Sequence, residues 1–232
     1  MDFRQSTDID KFKTDQWDLD LVVEKFSYNN YELSLYRVKN LDELVDQVTD
    51  DEFNLDERLP YWAELWPSAA ALSRFLLENP GLLENRNVLE LGCGLGLTSM
   101  IAHRQRPLHL ICTDYENAAL ELTRKNFELN NLEPPELKLM DWRSPDFDNE
   151  FEIILASDIL YEKRFFEPIF SLFEKLLARD GLIILAEPNR SIAREFFMRL
   201  KERRYTYNVQ FVETWQSGQK IVVSIYLIKN SS

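Results

Sequence analysis

"VLELGCGLGLTS", residues 88–99, runs from four residues of strand-like character into three glycines set two apart, and then into a helix start. A strand–turn–helix of this kind brings a ligand close to bare backbone and aims amide groups at it. The spacing is selective. The dinucleotide fingerprint G-x-G-x-x-G needs glycine at position 97, where Leu97 stands. Gly92, Gly94 and Gly96 alternate instead, two residues behind an acid, Glu90.

Outward from this loop, helical and apolar segments alternate from residue 60 to the end. "SAAALSRFLLEN" (68–79) is a helix stopped by Asn79-Pro80. Apolar runs follow at 87–92, 108–114, 136–141, 151–158 and 181–188, with helical patterns after all but the third. Phe166, Ile169, Phe170, Phe173, Leu176 and Leu177 form one helical stripe. "YTYNVQFVETW" and "KIVVSIYLIK" flank "QSGQ" and predict a β-hairpin. The expected fold is α/β: a Rossmann-like sheet of seven strands with helices on both faces, closed by an antiparallel C-terminal hairpin.

Residues 1–56 read as a separate small α+β extension or cap, and 57–232 as the main domain. Within the extension, "YELSLYRV" (31–38) predicts a strand. "NLDELVDQV" (40–48) predicts a short helix with Asn40 and Glu43 as a capping box. "TDDEFNLDERLP" follows as an acidic connector.

The chain has 232 residues, 45% of them hydrophobic and 29% charged, enough for one large core. No apolar stretch approaches a membrane span, and the mixed-charge N-terminus resembles no targeting peptide. With only two cysteines, Cys93 and Cys112, both in apolar segments, a cytoplasmic protein with free thiols and no metal site is expected. The net charge of −13 argues against a nucleic-acid partner and suits a basic protein or cationic small molecule.

Three further strand ends carry polar groups. Asp114 ends the second run, where a carboxylate accepts hydrogen bonds from a ribose diol. Asp141-Trp142 ends the third, offering a carboxylate and a stacking surface to an adenine. Asp158 ends the fourth, with Tyr161 three residues on. Aspartate is also a common helix cap, but fitting groups at successive strand ends are harder to assign to capping.

The acid-then-alternating-glycine loop resembles that of S-adenosylmethionine-dependent methyltransferases. "LPYWAELWPSAAALSRFLLENP" (59–80) and "SDILYE" (157–162) resemble the seven-strand protein lysine methyltransferases, nearest the branch acting on the electron transfer flavoprotein β-subunit. The resemblance implies an N-methyltransferase that uses S-adenosyl-L-methionine, releases S-adenosyl-L-homocysteine and acts on an accessible lysine of a protein. Glu90, Gly92, Gly94 and Gly96 would line the methionine end. Asp114 would bind the ribose, Tyr115 would pack beside the adenine, and Asp141 and Trp142 would hold its edge and face. Trp66 would close over the cofactor, and Asp158 and Tyr161 would flank the acceptor nitrogen. Other acceptors remain open at this point: a small-molecule amine or heterocycle, or none at all in a non-catalytic binding module. So does the oligomeric state.

Overall fold

A computed structural model of the chain describes residues 5–14, 17–45, 60–216 and 218–231. Three antiparallel strands come first: β1 (Gln5–Lys13), β2 (Asp18–Tyr28) and β3 (Tyr31–Val38). Asn29 takes a left-handed conformation (φ 50°) in the tight β2–β3 turn, a state asparagine tolerates better than most side chains. Helix α1 (Leu41–Val45) follows, and the Asp42 N–H donates to Asn40 Oδ1 as the expected cap requires. The Glu43 side chain and the acidic connector up to residue 59 lie outside the described residues.

The main unit alternates as its sequence periods dictate. In order come α2 (Pro67–Glu78), β4 (Asn87–Leu91), α3 (Leu97–Arg104), β5 (His109–Asp114), α4 (Asn117–Leu129) and β6 (Glu136–Leu139). Then follow β7 (Phe151–Ser157), α5 (Phe166–Leu176), β8 (Leu177–Glu187), α6 (Ala193–Glu202), β9 (Tyr205–Gln216) and β10 (Gln219–Asn230). The seven-stranded sheet runs β6-β5-β4-β7-β8-β10-β9. The first five of these are mutually parallel, while β10 pairs antiparallel with both β8 and β9. The chain order reverses between β4 and β7, the point at which open α/β sheets bind ligands.

Two cores sandwich this sheet, and single strands feed both. Ile153 and Leu155 of β7 pack with α2 and α3, while Ile154 and Ala156 pack with α5 and α6. The second core centres on Phe196 of α6, stacked on Phe170 of α5 at 4.5 Å between ring centroids.

The N-terminal sheet shares the first core through Phe26, Leu33 and Leu35. One of its two edges is β3, and helix α4 with its C-terminal cap covers that edge with two side-chain amides one turn apart. The Tyr36 N–H donates to Asn126 Oδ1 (2.6 Å), and Asn126 Nδ2 donates to the Tyr36 carbonyl (3.1 Å). Asn130 repeats the pattern with Ser34 at 2.9 and 2.7 Å. Alternate residues of a strand edge thus find partners on a helix. Among the described residues no helix is long and apolar enough to cross a membrane.

Candidate functional site

The carboxyl ends of β4, β5 and β7, joined by the segment from Tyr61 to Ala69, enclose a cavity of about 300 Å³. The glycine loop forms its floor. Gly92, Gly94 and Gly96 all have left-handed φ values (67°, 53° and 79°), which explains why glycine stands at each. Gly92 and Gly94 line the cavity, and the Gly94 N–H donates to Asp114 Oδ2 at 2.9 Å.

Gly96 and Glu90 lie behind that wall and do not reach the cavity. A Cβ on Gly96 would sit 2.7 Å from Thr123 Cγ2, so this glycine serves the packing of α3 against α4. Strand alternation sends Glu90 the same way as Val88, toward α3, where the Ser99 hydroxyl donates to its carboxylate. Burial pushes the Glu90 carboxyl up to about 7.

Asp114, Tyr115, Asp141 and Trp142 meet along one side of the cavity. Burial raises the Asp114 pKa, and backbone N–H groups of Gly94, Glu116 and Tyr115 oppose that shift. Arg143, which the sequence did not single out, braces two of these residues. Its Nε donates to both Asp141 carboxylate oxygens at 2.9 Å, and its Nη2 donates to the Tyr115 hydroxyl at 2.6 Å.

From Trp142 the wall continues as aromatic rings. Trp66, Tyr61, Tyr161, Phe165 and Trp142 form a continuous arc of edge-to-face rings with successive centroids 6.0, 5.4, 5.9 and 5.4 Å apart. Trp66 is held in place by a 2.7 Å bond from its Nε1 to the Tyr61 carbonyl. Trp62 lines the cavity and also joins the core beneath β2, so it serves as a packing anchor too. Burial pushes the Tyr161 phenol well above its usual range, with Glu162 adding to the effect.

Asp158 closes the end of the arc. It follows β7 in a left-handed conformation (φ 63°), its N–H donating to the Ala186 carbonyl of the neighbouring strand. One carboxylate oxygen accepts from Arg190 Nη1; the other, Oδ2, is buried with no hydrogen-bond partner among the described residues.

Against this geometry, the sequence profile of the lysine methyltransferase family matches residues 56–204. The chain belongs to that family. Its relatives include an electron transfer flavoprotein beta subunit lysine methyltransferase of Xenopus laevis, 29% identical over 133 residues, which cover 57% of this chain and 54% of the relative. A protein-lysine N-methyltransferase of Schizosaccharomyces pombe is 34% identical over 139 residues, covering 54% of this chain and 46% of the relative. The chain thus spans about half the length of the curated relatives it matches.

Solved structures share the fold at low identity. The ribosomal protein L11 methylase of Lactobacillus delbrueckii subsp. bulgaricus superposes with a TM-score of 0.52 at 21% identity, covering 66% of this chain and 75% of that one. The N-methyltransferase NodS of Bradyrhizobium japonicum, solved with S-adenosyl-L-homocysteine, gives 0.55 at 15%, covering 82% and 98%.

Within the lysine methyltransferase frame, the cavity lining includes Tyr61 and Phe165, which the sequence reading did not single out, and Arg190, from the loop "EPNRS" (187–191) whose exit from the fifth strand on the same edge suggested a role in specificity. Tyr61 had a signal, since it adjoins Trp62 in the same aromatic segment. Arg190 had only the position of its loop as a signal, because the pairing of β7 with β8 is what brings residue 190 beside residue 158.

Proposed function

We propose that this chain is an S-adenosylmethionine-dependent N-methyltransferase acting on a lysine side chain of a protein. The observation that carries the reading is Asp158: a buried carboxylate with an unpartnered oxygen, at the end of an aromatic arc, in a cavity at the sheet's switch point. Family membership and the names of the relatives support it.

The cavity suits the cofactor chemically. Gly94 presents bare backbone, Asp114 an acceptor for a ribose diol, and Trp142 with Asp141 a stacking face and a polar edge for an adenine. When bound, S-adenosylmethionine supplies an electrophilic methyl group for in-line transfer. The chain's own residues then have three tasks. Trp66 and Tyr61 exclude water from one side. Asp158 attracts and orients the acceptor nitrogen. Tyr161 offers a ring face to the growing cation as methyl groups accumulate. A lysine amine is mostly protonated at neutral pH, and a carboxylate raises its pKa further, so Asp158 acts by orientation rather than as a strong base.

Glu64, Glu116 and Glu162 join Asp114, Asp141 and Asp158 around the cavity, against Arg164 and Arg190, which favours a cationic acceptor segment over a nucleic acid. The free, buried Cys93 and Cys112 suit a reducing compartment such as the cytoplasm. The test is incubation with S-adenosylmethionine labelled in the methyl group and a lysate of the source organism. Label on a lysine of one protein band, lost with Asp158→Asn, supports the proposal. Label confined to the small-molecule fraction replaces the acceptor, and no transfer by a chain that binds the cofactor points to a binding module.

A further inference from the structure

At and just behind the Asp158 end of the cavity, buried acid outnumbers base. The Asp158 side chain is 7% exposed and that of Glu187, the last residue of β8, is 1% exposed, and one guanidinium serves both. Arg190 Nη1 donates to Asp158 Oδ1 and lies 3.8 Å from Glu187 Oε2. That second oxygen, like Asp158 Oδ2, is buried with no hydrogen-bond partner among the described residues. Two acids therefore leave two buried oxygens unmet, and an unmet buried acceptor is costly.

The loop that carries Arg190 is held by the Arg190 backbone N–H and by the Asn189 side chain. The Arg190 N–H donates to Glu187 Oε1 at 2.7 Å, Asn189 Nδ2 donates to the Val222 carbonyl at 2.9 Å, and the Ser224 hydroxyl donates to Asn189 Oδ1 at 2.6 Å. The side chain of Arg190, 30% exposed, is anchored through its guanidinium alone, between Asp158 and Glu187. Hydrogen bonds to oxygen form near 2.9 Å, so a shift of about 1 Å would carry Nη1 from Asp158 to Glu187 Oε2.

We propose that Arg190 is a built-in competitor for the acceptor's cation site: it occupies Asp158 until a substrate ammonium displaces it, and Glu187 receives it. The inference rests on the reading of Asp158 as the acceptor's carboxylate. Its chemical content is specificity. An acceptor engages Asp158 only by outcompeting an internal guanidinium, so neutral amines and hydroxyls are refused and a slender primary ammonium is admitted. After displacement the charges balance, with the acceptor on Asp158 and Arg190 on Glu187. Asp158 Oδ2 and Glu187 Oε2 both gain partners.

The arithmetic is that of a minor competent state. If Arg190 leaves Asp158 about one-tenth of the time, apparent acceptor affinity is about tenfold below its intrinsic value. The test uses n-butylammonium as the lysine-side-chain probe, titrated into the full chain saturated with S-adenosyl-L-homocysteine and followed by NMR or calorimetry. Arg190→Met is expected to bind the probe about tenfold more tightly than the native chain. Arg164→Met removes the same charge from the same cavity and sets the electrostatic background, which Arg190→Met must exceed.

Glu187→Gln is expected to weaken binding in the native background and to have little effect in the Arg190→Met background, a coupling that simple charge removal does not produce. Melting curves confirm that each variant is folded. Equal gains from Arg190→Met and Arg164→Met, or equal losses from Glu187→Gln in both backgrounds, overturn the competitor role. If Asp158→Asn leaves probe binding unchanged in every background, the placement of the acceptor itself fails, and that outcome is separate from the other two.

Discussion

Asn126 and Tyr36 are joined as two neighbouring strands would be, amide to backbone in both directions, although one lies on α4 and the other on the edge of the N-terminal sheet. The same Asn126 Nδ2 donates at 2.8 Å to the Leu95 carbonyl in the glycine loop. A single side chain thus ties the N-terminal sheet to the floor of the cavity.

Asn126→Ala is expected to cost about 1–3 kcal/mol, because it orphans buried backbone groups on two elements. Hydrogen exchange should show the Tyr36 amide losing protection, while Ser34, still held by Asn130, keeps most of its own. Unchanged exchange at Tyr36 would remove the role assigned to Asn126.

Alanine at Gly94 and at Gly96 should differ. Both positions impose left-handed strain of about 1–2 kcal/mol on an L side chain. At Gly94 the nearest atom to a new Cβ is 3.5 Å away, whereas at Gly96 Thr123 stands at 2.7 Å. Overpacking there adds about 1–3 kcal/mol, so urea denaturation should rank Gly96→Ala as the more destabilised. Gly94→Ala, which faces the cavity, should lose more cofactor affinity by calorimetry.

Phe196→Ala should be among the most destabilising substitutions in the chain, at about 3–5 kcal/mol. Its ring meets Phe166, Phe170, Phe173 and Phe197, so truncation opens a hole among four rings. Phe196→Leu should recover a large part of the loss in a chemical melt.

The pH dependence has a definite sign. Burial pushes the Glu90 carboxyl up to about 7 in the folded chain, against about 4.5 for an ordinary glutamate. Between those values the folded state binds more protons than the unfolded one, so stability falls as pH rises through that window. The full shift corresponds to a loss on the order of 3 kcal/mol by pH 8. Glu187, also raised to about 7 by burial, contributes with the same sign. Glu90→Gln should flatten part of the decline in melting temperature from pH 5 to pH 8. An unaltered slope would mean that Glu90 is not the titrating group.

Much of this architecture is legible in the sequence, for physical reasons. The strands β4, β7 and β8 announce themselves as apolar runs because both of their faces are covered. The amphipathic stripe of α5 does so because one face is buried. β1 and β2 escaped notice because their charged residues interrupt the pattern. Lys11 pairs with Asp20, and Lys13 pairs with Asp18 across the ladder, contacts that only the folded register creates. In the site, groups at strand ends were readable one at a time, whereas Arg143 and Arg190 act through partners brought to them by folding. Glu90, expected at the methionine end of the cofactor, lies behind the glycine loop. Its neighbour Val88 and the two-residue strand period carry the signal that it faces α3 instead.

The insertion of β10 between β8 and β9 makes the C-terminal hairpin part of the support of the cavity. Asn189 is held by Val222 and Ser224, so the turn bearing Arg190 leans on a strand more than thirty residues further along the chain. The glycine loop is fixed from elsewhere, by Asp114 and Asn126. A change that shifts β10 therefore reaches the Asp158 end of the cavity and spares the glycine loop, so the two ends can be perturbed separately.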